Sequence, residues 1–432
     1  MIQVHPAERT RVLLSAAFFF FILGGYYVLR PLRDEMGVQG GGDRLSLLFL
    51  GTLTGTLLLN PLLGWLISRF PRVVFVPVVY RVIAGSLVLF YLALRFGPAH
   101  AHQKVAAAFF VWVSVFVMFL TSLFWGVMVD VWRSEQGKRL FGLIGVGGTA
   151  GGIAGAALTA GLVKRVGPEN MILAAVLLLE LGVQCVRRLV KGVDPAASRT
   201  EPAEDEEPPG HGAWHGLKLI LGSRYLLALC LFLLFFTVSS TFLYFEQARI
   251  VRAAFTSPAE RTAFFARMDL TVNVATVLIQ VLLTAPMIRL LGVGGTLTLL
   301  PLVTVAGFAA LWRMPAVGVL FVVQSARRAV EFSLIRPSRE LLFTVVSREE
   351  KYASKAFIDT FVYRGGDAVG ALSDIALKAL QAGEGITLLL FLPIGAAWAV
   401  LSAWLGRQQA RRAAERVAGD LAEAIPAAPS RT

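Results

Sequence analysis

The sequence predicts an all-α polytopic membrane protein of twelve transmembrane helices arranged as two six-helix halves. Three observations predict it. Apolar residues make up 56% of the 432, which at about 20 residues per bilayer crossing supplies about twelve spans. Charged residues make up only 16%, against about 25% in a soluble domain. One polar, acidic, Pro-rich stretch divides the apolar segments six and six. A single globular domain, a secreted disulfide scaffold and a disordered chain are excluded by the same figures. The net charge of +13 belongs to cationic loops and a cationic pathway rather than to nucleic-acid binding.

In chain order the hydrophobic segments are 12–30, 45–67, 73–94, 105–130, 140–163, 170–190, 222–245, 268–290, 293–312, 315–335, 356–380 and 385–406. All read as helices on hydropathy. The segment 356–380 is the weakest, because it carries Asp359, Arg364, Asp367 and Asp374. The stretch 191–217 contains the acidic, Pro-rich run from Glu201 to Gly210 and cannot pack a core. The expected organisation is a bundle over 1–190, a linker over 191–217, a bundle over 218–406 and a tail over 407–432. Residues 1–11 do not read as a signal peptide. Lys and Arg are in excess on the inside loops when the amino terminus is cytoplasmic, so both termini are expected there.

Cys185 and Cys230 lie within apolar runs at no disulfide or metal spacing, and read as inert thiols. The five histidines, His100 and His102 among them, fall in expected loops and tails. A histidine proton relay and a metal site are therefore not expected. The two halves repeat faintly. Tyr26-Tyr27 matches Tyr244-Phe245, Gly147-Gly148 matches Gly365-Gly366, and Arg133 matches Lys351. Two parallel six-span repeats are a transporter architecture with the solute site near the midplane.

Gly147, Gly151 and Gly155 form a ridge at four-residue spacing that lets another helix backbone approach. No Gly-Lys-Ser/Thr follows, so it is not a phosphate loop. Charged residues within spans are costly and persist when paired or facing a watery path. Arg327 and Glu331, Lys355 and Asp359, and Arg364 and Asp367 are spaced to share a helix face. Arg81 has no acid in its own span, and Glu246 has only Arg249 nearby. Pro31 is expected to stop the first helix near Arg30. A broken end carrying Arg30 and Arg33 can hold phosphate oxygens bidentately, and snorkelling interfacial arginines is the plainer alternative.

Two resemblances enter at these residues. The loop Gly64 to Arg72, with Arg69 kept and Ser68 and Pro71 altered, resembles the loop between helices two and three of the major facilitator superfamily. Four stretches resemble the ATP/ADP translocases, the nucleotide transporters of plastids and intracellular bacteria. They are Tyr26 to Asp34; Phe124-Trp125-Gly126 with Lys138-Arg139 to Gly147; Phe245-Glu246 with Ser257-Pro258 to Phe264; and Arg348 to Lys351 with Lys355-Ala356-Phe357-Ile358-Asp359 and Arg364-Gly365-Gly366. The resemblance implies a major-facilitator-like fold and a divergent bacterial member that exchanges adenine nucleotides. It places the family's functional charges on Arg33, Glu246 and Lys355. Arg33 stands where the family has lysine, Gln136 where it has glutamate, and Asp367 where it has lysine.

The expected function is nucleotide transport by alternating access in a bacterial inner membrane, with no cofactor and no catalytic residue. Arg30, Arg33, Arg81, Lys355 and Arg364 would attract phosphate, and Glu246 and Asp359 would orient them or read base and sugar. Asp130, Lys138, Arg139 and Glu331 are the coupling or gating candidates. The expected partners are a small anionic solute and membrane lipid, without nucleic acid, and a monomer is the expected state. The rival reading is a proton-coupled major facilitator moving another small anion. A membrane-embedded transferase lacks a nucleophile or metal cluster, and a purely structural protein would not keep these intramembrane charges.

Overall fold

The computed structural model describes residues 5–40, 42–132, 134–191, 213–381 and 384–424, and among them every regular element is helical. The order is α1 Arg9–Gln39, α2 Gly42–Arg69, α3 Arg72–Phe96, α4 Ala99–Val131, α5 Ser134–Val166 and α6 Pro168–Leu189. After the undescribed stretch come α7 Ala213–Gly222, α8 Arg224–Ala254, α9 Pro258–Leu282, α10 Thr284–Arg313 and α11 Val317–Val330. The last four are α12 Arg336–Leu342, α13 Arg348–Phe357, α14 Tyr363–Ala379 and α15 Glu384–Ala424. Among the described residues nine helices, α1 to α6 and α8 to α10, are long and apolar enough to cross a bilayer.

Local chemistry sets several boundaries. Pro168 and Pro258 open α6 and α9, where the missing N–H costs nothing. Ser347 caps α13 reciprocally with Glu350, through bonds of 3.2 and 2.9 Å. Gly292 takes φ 66° and breaks α10 near its start, a conformation that glycine adopts freely. This break falls where the eighth and ninth apolar segments were expected to part. Two wider π turns, Glu331–Ile335 and Ile358–Val362, join α11 to α12 and α13 to α14.

Three expectations are corrected. Pro31 does not stop the first helix, which runs on to Gln39. A membrane helix tolerates the lost hydrogen bond when its surroundings satisfy the freed carbonyl. Arg30 and Arg33 therefore stand on a continuous helix and not on a broken end. The tail beyond 406 is not separate, because α15 continues to Ala424 through an Ala-, Arg- and Glu-rich run of high helix propensity. The end of the expected linker opens α7, while residues 192–212 of it lie outside the described residues.

The chain divides into two compact units, Met1–Glu206 with Tyr244–Val274, and Glu207–Leu243 with Ala275–Thr432. In the first, α1 is central and packs against α4, α5 and α6. Phe19 and Phe124 stack with ring centroids 4.0 Å apart, and the buried Tyr80 hydroxyl donates to the Leu120 carbonyl at 2.7 Å. In the second, α10 packs against α11 and α15, and the buried Tyr225 hydroxyl donates to the Leu342 carbonyl at 2.9 Å. Large apolar side chains elsewhere are exposed, Val281 and Leu290 among the most, as in a lipid-facing surface.

The glycine ridge of α5 lies directly on α1. A Cβ at Gly147, Gly151 or Gly155 would collide with the backbone of Ala16, Phe20 or Gly24 respectively. Helix backbones this close gain from dispersion and Cα–H···O contacts. In the second unit Gly366 of α14 lies on Thr237 of α8, just as Gly148 lies on Phe19. Each contact is displaced from the other by the offset read in the sequence, so the repeat extends to packing.

Gly151→Ala should therefore lower stability by about 1–3 kcal/mol through overpacking. Gly145→Ala, which meets nothing within 4 Å, should leave it level or slightly raised. Thermal unfolding of the detergent-purified variants measures both. Equal behaviour would remove the ridge from the packing account.

Candidate functional site

The first unit holds a buried charge network built around the second half of α1. Within six residues α1 carries Arg30, Arg33, Asp34 and Glu35, and the continuation of the helix past Pro31 keeps all four inside the bundle. Arg30 Nη1 lies 3.5 Å from Asp269 Oδ1 on α9. Arg33 holds Asp34 Oδ1 at 2.5 Å through Nη2 and at 3.0 Å through Nε. The Tyr244 hydroxyl donates to the same Asp34 oxygen at 2.8 Å. Arg33 also faces the Phe110 ring, 5.4 Å from its centroid.

A second pair continues the network. Arg261 donates to Glu35 Oε1 at 2.8 Å from Nη2 and at 3.3 Å from Nε. Its Nη1 donates to the carbonyls of Phe255 and Thr256 at 3.1 and 3.0 Å. One guanidinium thus ties the turn between α8 and α9 to α1. Gln39 donates to both Glu35 oxygens at 2.9 Å. Three cations (Arg30, Arg33, Arg261) meet three anions (Asp34, Glu35, Asp269), which is how a low-dielectric interior tolerates them. Arg30 Nε is buried without a hydrogen-bond partner, so its guanidinium still has a donor to offer. Beside Arg261 an open recess of about 380 Å³ is lined by Gln39, His102 and Arg252.

The other sequence candidates are placed as follows. Glu246 is held by Arg249, with Nε donating to Oε2 at 3.0 Å. Arg81 finds its acid on α6, where Glu180 accepts two bonds at 3.2 and 2.8 Å. Both members of that pair are well exposed, and they stand apart from the α1 network. Asp130 is half-buried on the last turn of α4. Arg139 holds Glu8 through bonds of 2.8 and 2.9 Å, and Gln136 adds a third at 2.9 Å. The side chain of Lys138 lies outside the described residues.

In the second unit Arg364 and Asp367 pair at 3.2 Å, at the spacing expected. Asp367 also accepts from Thr241 at 3.2 Å. Lys355 lies 2.6 Å from Glu340 on α12. Its expected pairing with Asp359 falls outside the described side chains. The expected Arg327–Glu331 pair is not formed. Glu331 lies 3.5 Å from Arg336 instead, a partner five residues on, because a π turn begins at Glu331 and brings i and i+5 onto one face. Arg327 donates to Ser240 at 2.9 Å.

Sequence reading missed Asp34, Glu35, Arg261 and Asp269 as site residues. The signal was available for Asp34 and Glu35, which follow Arg33 directly, but reading Pro31 as a stop put them outside the span.

A helical membrane bundle in two units, with charged side chains paired inside it, has a major-facilitator-like fold. Solved structures share the fold. An auto-inhibited POT family peptide transporter matches with a TM-score of 0.62 at 14% identity, over 93% of this chain and 97% of that one. The nucleoside transporter NupG matches with a TM-score of 0.60 at 14% identity, over 94% and 99%. Sequence adds a narrower likeness: the TLC ATP/ADP transporter family matches residues 107–314. ADP,ATP carrier protein 2 of Chlamydia pneumoniae is 23% identical over 96% of this chain and 92% of its own length. The chloroplastic ADP,ATP carrier protein 1 of Arabidopsis thaliana is 23% identical over 85% and 68%. The chain is thus similar to the ATP/ADP translocase family, and it is a multi-pass integral membrane protein.

Two predictions follow from the pairing. Arg261→Gln leaves Glu35 buried and uncompensated, and should cost about 3–5 kcal/mol. Arg411→Gln, which removes an exposed i,i+4 pair with Glu415, should cost at most about 0.5 kcal/mol. Equal losses in thermal unfolding would contradict the network. Outside the spans, Glu8 is pushed up by burial but more strongly held down by the His5 N–H, Arg139 and Gln136. A lowered carboxylate pKa stabilises above the unfolded value and is lost as pH falls through the folded one. Glu8→Gln should therefore remove a stabilisation present at neutral pH and absent in strong acid. A wild-type and variant difference that persists unchanged at pH 2 would contradict this.

Proposed function

We propose that this protein exchanges nucleotides of the ATP/ADP type across a bacterial inner membrane by alternating access. The likeness to ADP,ATP carrier proteins over nearly the whole chain carries the reading. Concentrated guanidinium on α1 supports it chemically, because arginine forks match phosphate oxygens bidentately. In this reading Arg30 and Arg33 are the first phosphate contacts. They are held by Asp269 and Asp34 when no nucleotide is bound, so phosphate replaces one anion by another without leaving a bare cation. Lys355, Arg364, Arg81, Glu246 and Asp359 complete the proposed substrate set. Asp130, Lys138, Arg139 and Glu331 are proposed to couple or gate. Both termini are proposed to be cytoplasmic, from the distribution of Lys and Arg. Lipid is the only other partner proposed.

Cells expressing the protein should take up labelled ATP above an empty-vector background, with unlabelled ATP and ADP competing and inorganic phosphate competing poorly. Lys355→Gln should reduce uptake at least about tenfold, as expected for loss of one charge-assisted contact. Arg407→Gln should change it little. Folded protein in the membrane without uptake of any nucleotide would sink the proposal. Equal losses from both variants would remove Lys355 from the site.

A further inference from the structure

We propose that Arg327, on α11, is a phosphate-binding residue of the second unit. It deepens the nucleotide reading above and rests on it. Arg327 is only 5% exposed. A guanidinium keeps its charge in any protein environment, so its burial calls for an anion. The acid nearest in sequence, Glu331, is engaged by Arg336 at 3.5 Å through the π turn. Among the described residues no carboxylate lies within 4 Å of the Arg327 guanidinium. Its partners are neutral. Nη1 donates to the Ser240 hydroxyl at 2.9 Å, and the guanidinium carbon lies 5.8 Å from the Phe236 ring centroid. Nε is buried with no hydrogen-bond partner.

The contrast with neighbouring cations is direct. Arg364 has Asp367, Lys355 has Glu340, and Arg336 has Glu331. Each of those could serve structure alone. Arg327 instead bears a full charge with donor capacity left over, which is unfavourable for stability and favourable for capturing an anion. A nucleoside diphosphate or triphosphate supplies that anion. Phe236 also stands edge-on to Tyr363 at 6.3 Å, so two aromatic rings adjoin the cation.

The test uses the full-length purified protein with ADP as probe. Unfolding temperature without nucleotide and ADP affinity are measured for the wild type, Arg327→Met, Arg327→Lys and Arg411→Gln. Arg327→Met should unfold at the wild-type temperature or above, because it removes a buried charge that no described carboxylate contacts directly. It should bind ADP about ten- to a hundredfold more weakly, the loss expected for a charge-assisted hydrogen bond. Arg327→Lys keeps the charge but not the fork, and should also bind more weakly, though less so than Arg327→Met. It decides the matter if the methionine variant folds poorly. Arg411→Gln should match the wild type. A folded Arg327 variant that binds ADP within twofold of the wild type overturns the assignment. A folded wild type that binds no ADP overturns the nucleotide reading, and this inference with it.

Discussion

A charge placed among membrane helices must be matched by another charge or by hydrogen bonds, since the surrounding lipid supplies neither. The rest of this structure depends on that constraint. It explains why Arg30, Arg33, Asp34, Glu35, Arg261 and Asp269 come together, although α1 and α9 are far apart in sequence. It explains why Arg261 also reaches two backbone carbonyls, and why Tyr244 turns its hydroxyl to Asp34. In the proposed exchange the same constraint would give the network its use. A cation held by a protein carboxylate can exchange that partner for a phosphate without passing through an unpaired state.

Packing positions the network. The close approach of α5 to α1 at Gly147, Gly151 and Gly155 fixes α1 against its neighbours, so its charged second half has a defined place. Sheer apolarity could not do this, because lipid tails are as apolar as leucine and offer no preference for one helix face. Small residues let backbones touch, and polar contacts then select the register. The recurrence of the Gly148 contact at Gly366 indicates that one helix-pair design serves both halves.

Much of the fold was legible in the sequence because bilayer thickness dictates length and hydropathy reports it. The repeat, the glycine ridge and the Arg364–Asp367 pair were legible because they are local patterns at helical spacing. The Arg30–Asp269 and Glu35–Arg261 pairs were not, since no periodicity links residues separated by most of the chain. Pro31 misled because its usual effect in water-soluble helices does not hold inside a membrane bundle. The π turns misled in another way. The first of them brings Glu331 to 3.5 Å from Arg336, so the carboxylate expected to pair with Arg327 is engaged by another cation.

The central claim is exchange of one anionic nucleotide for another. Counter-exchange in proteoliposomes tests it most directly. Vesicles containing the purified protein are loaded with unlabelled ADP or left empty, and labelled ATP is added outside. The account predicts uptake into ADP-loaded vesicles, little uptake into empty ones, and ADP leaving as ATP enters. Uptake of the same size into both, or nucleotide uptake driven by a proton gradient without internal nucleotide, would contradict it.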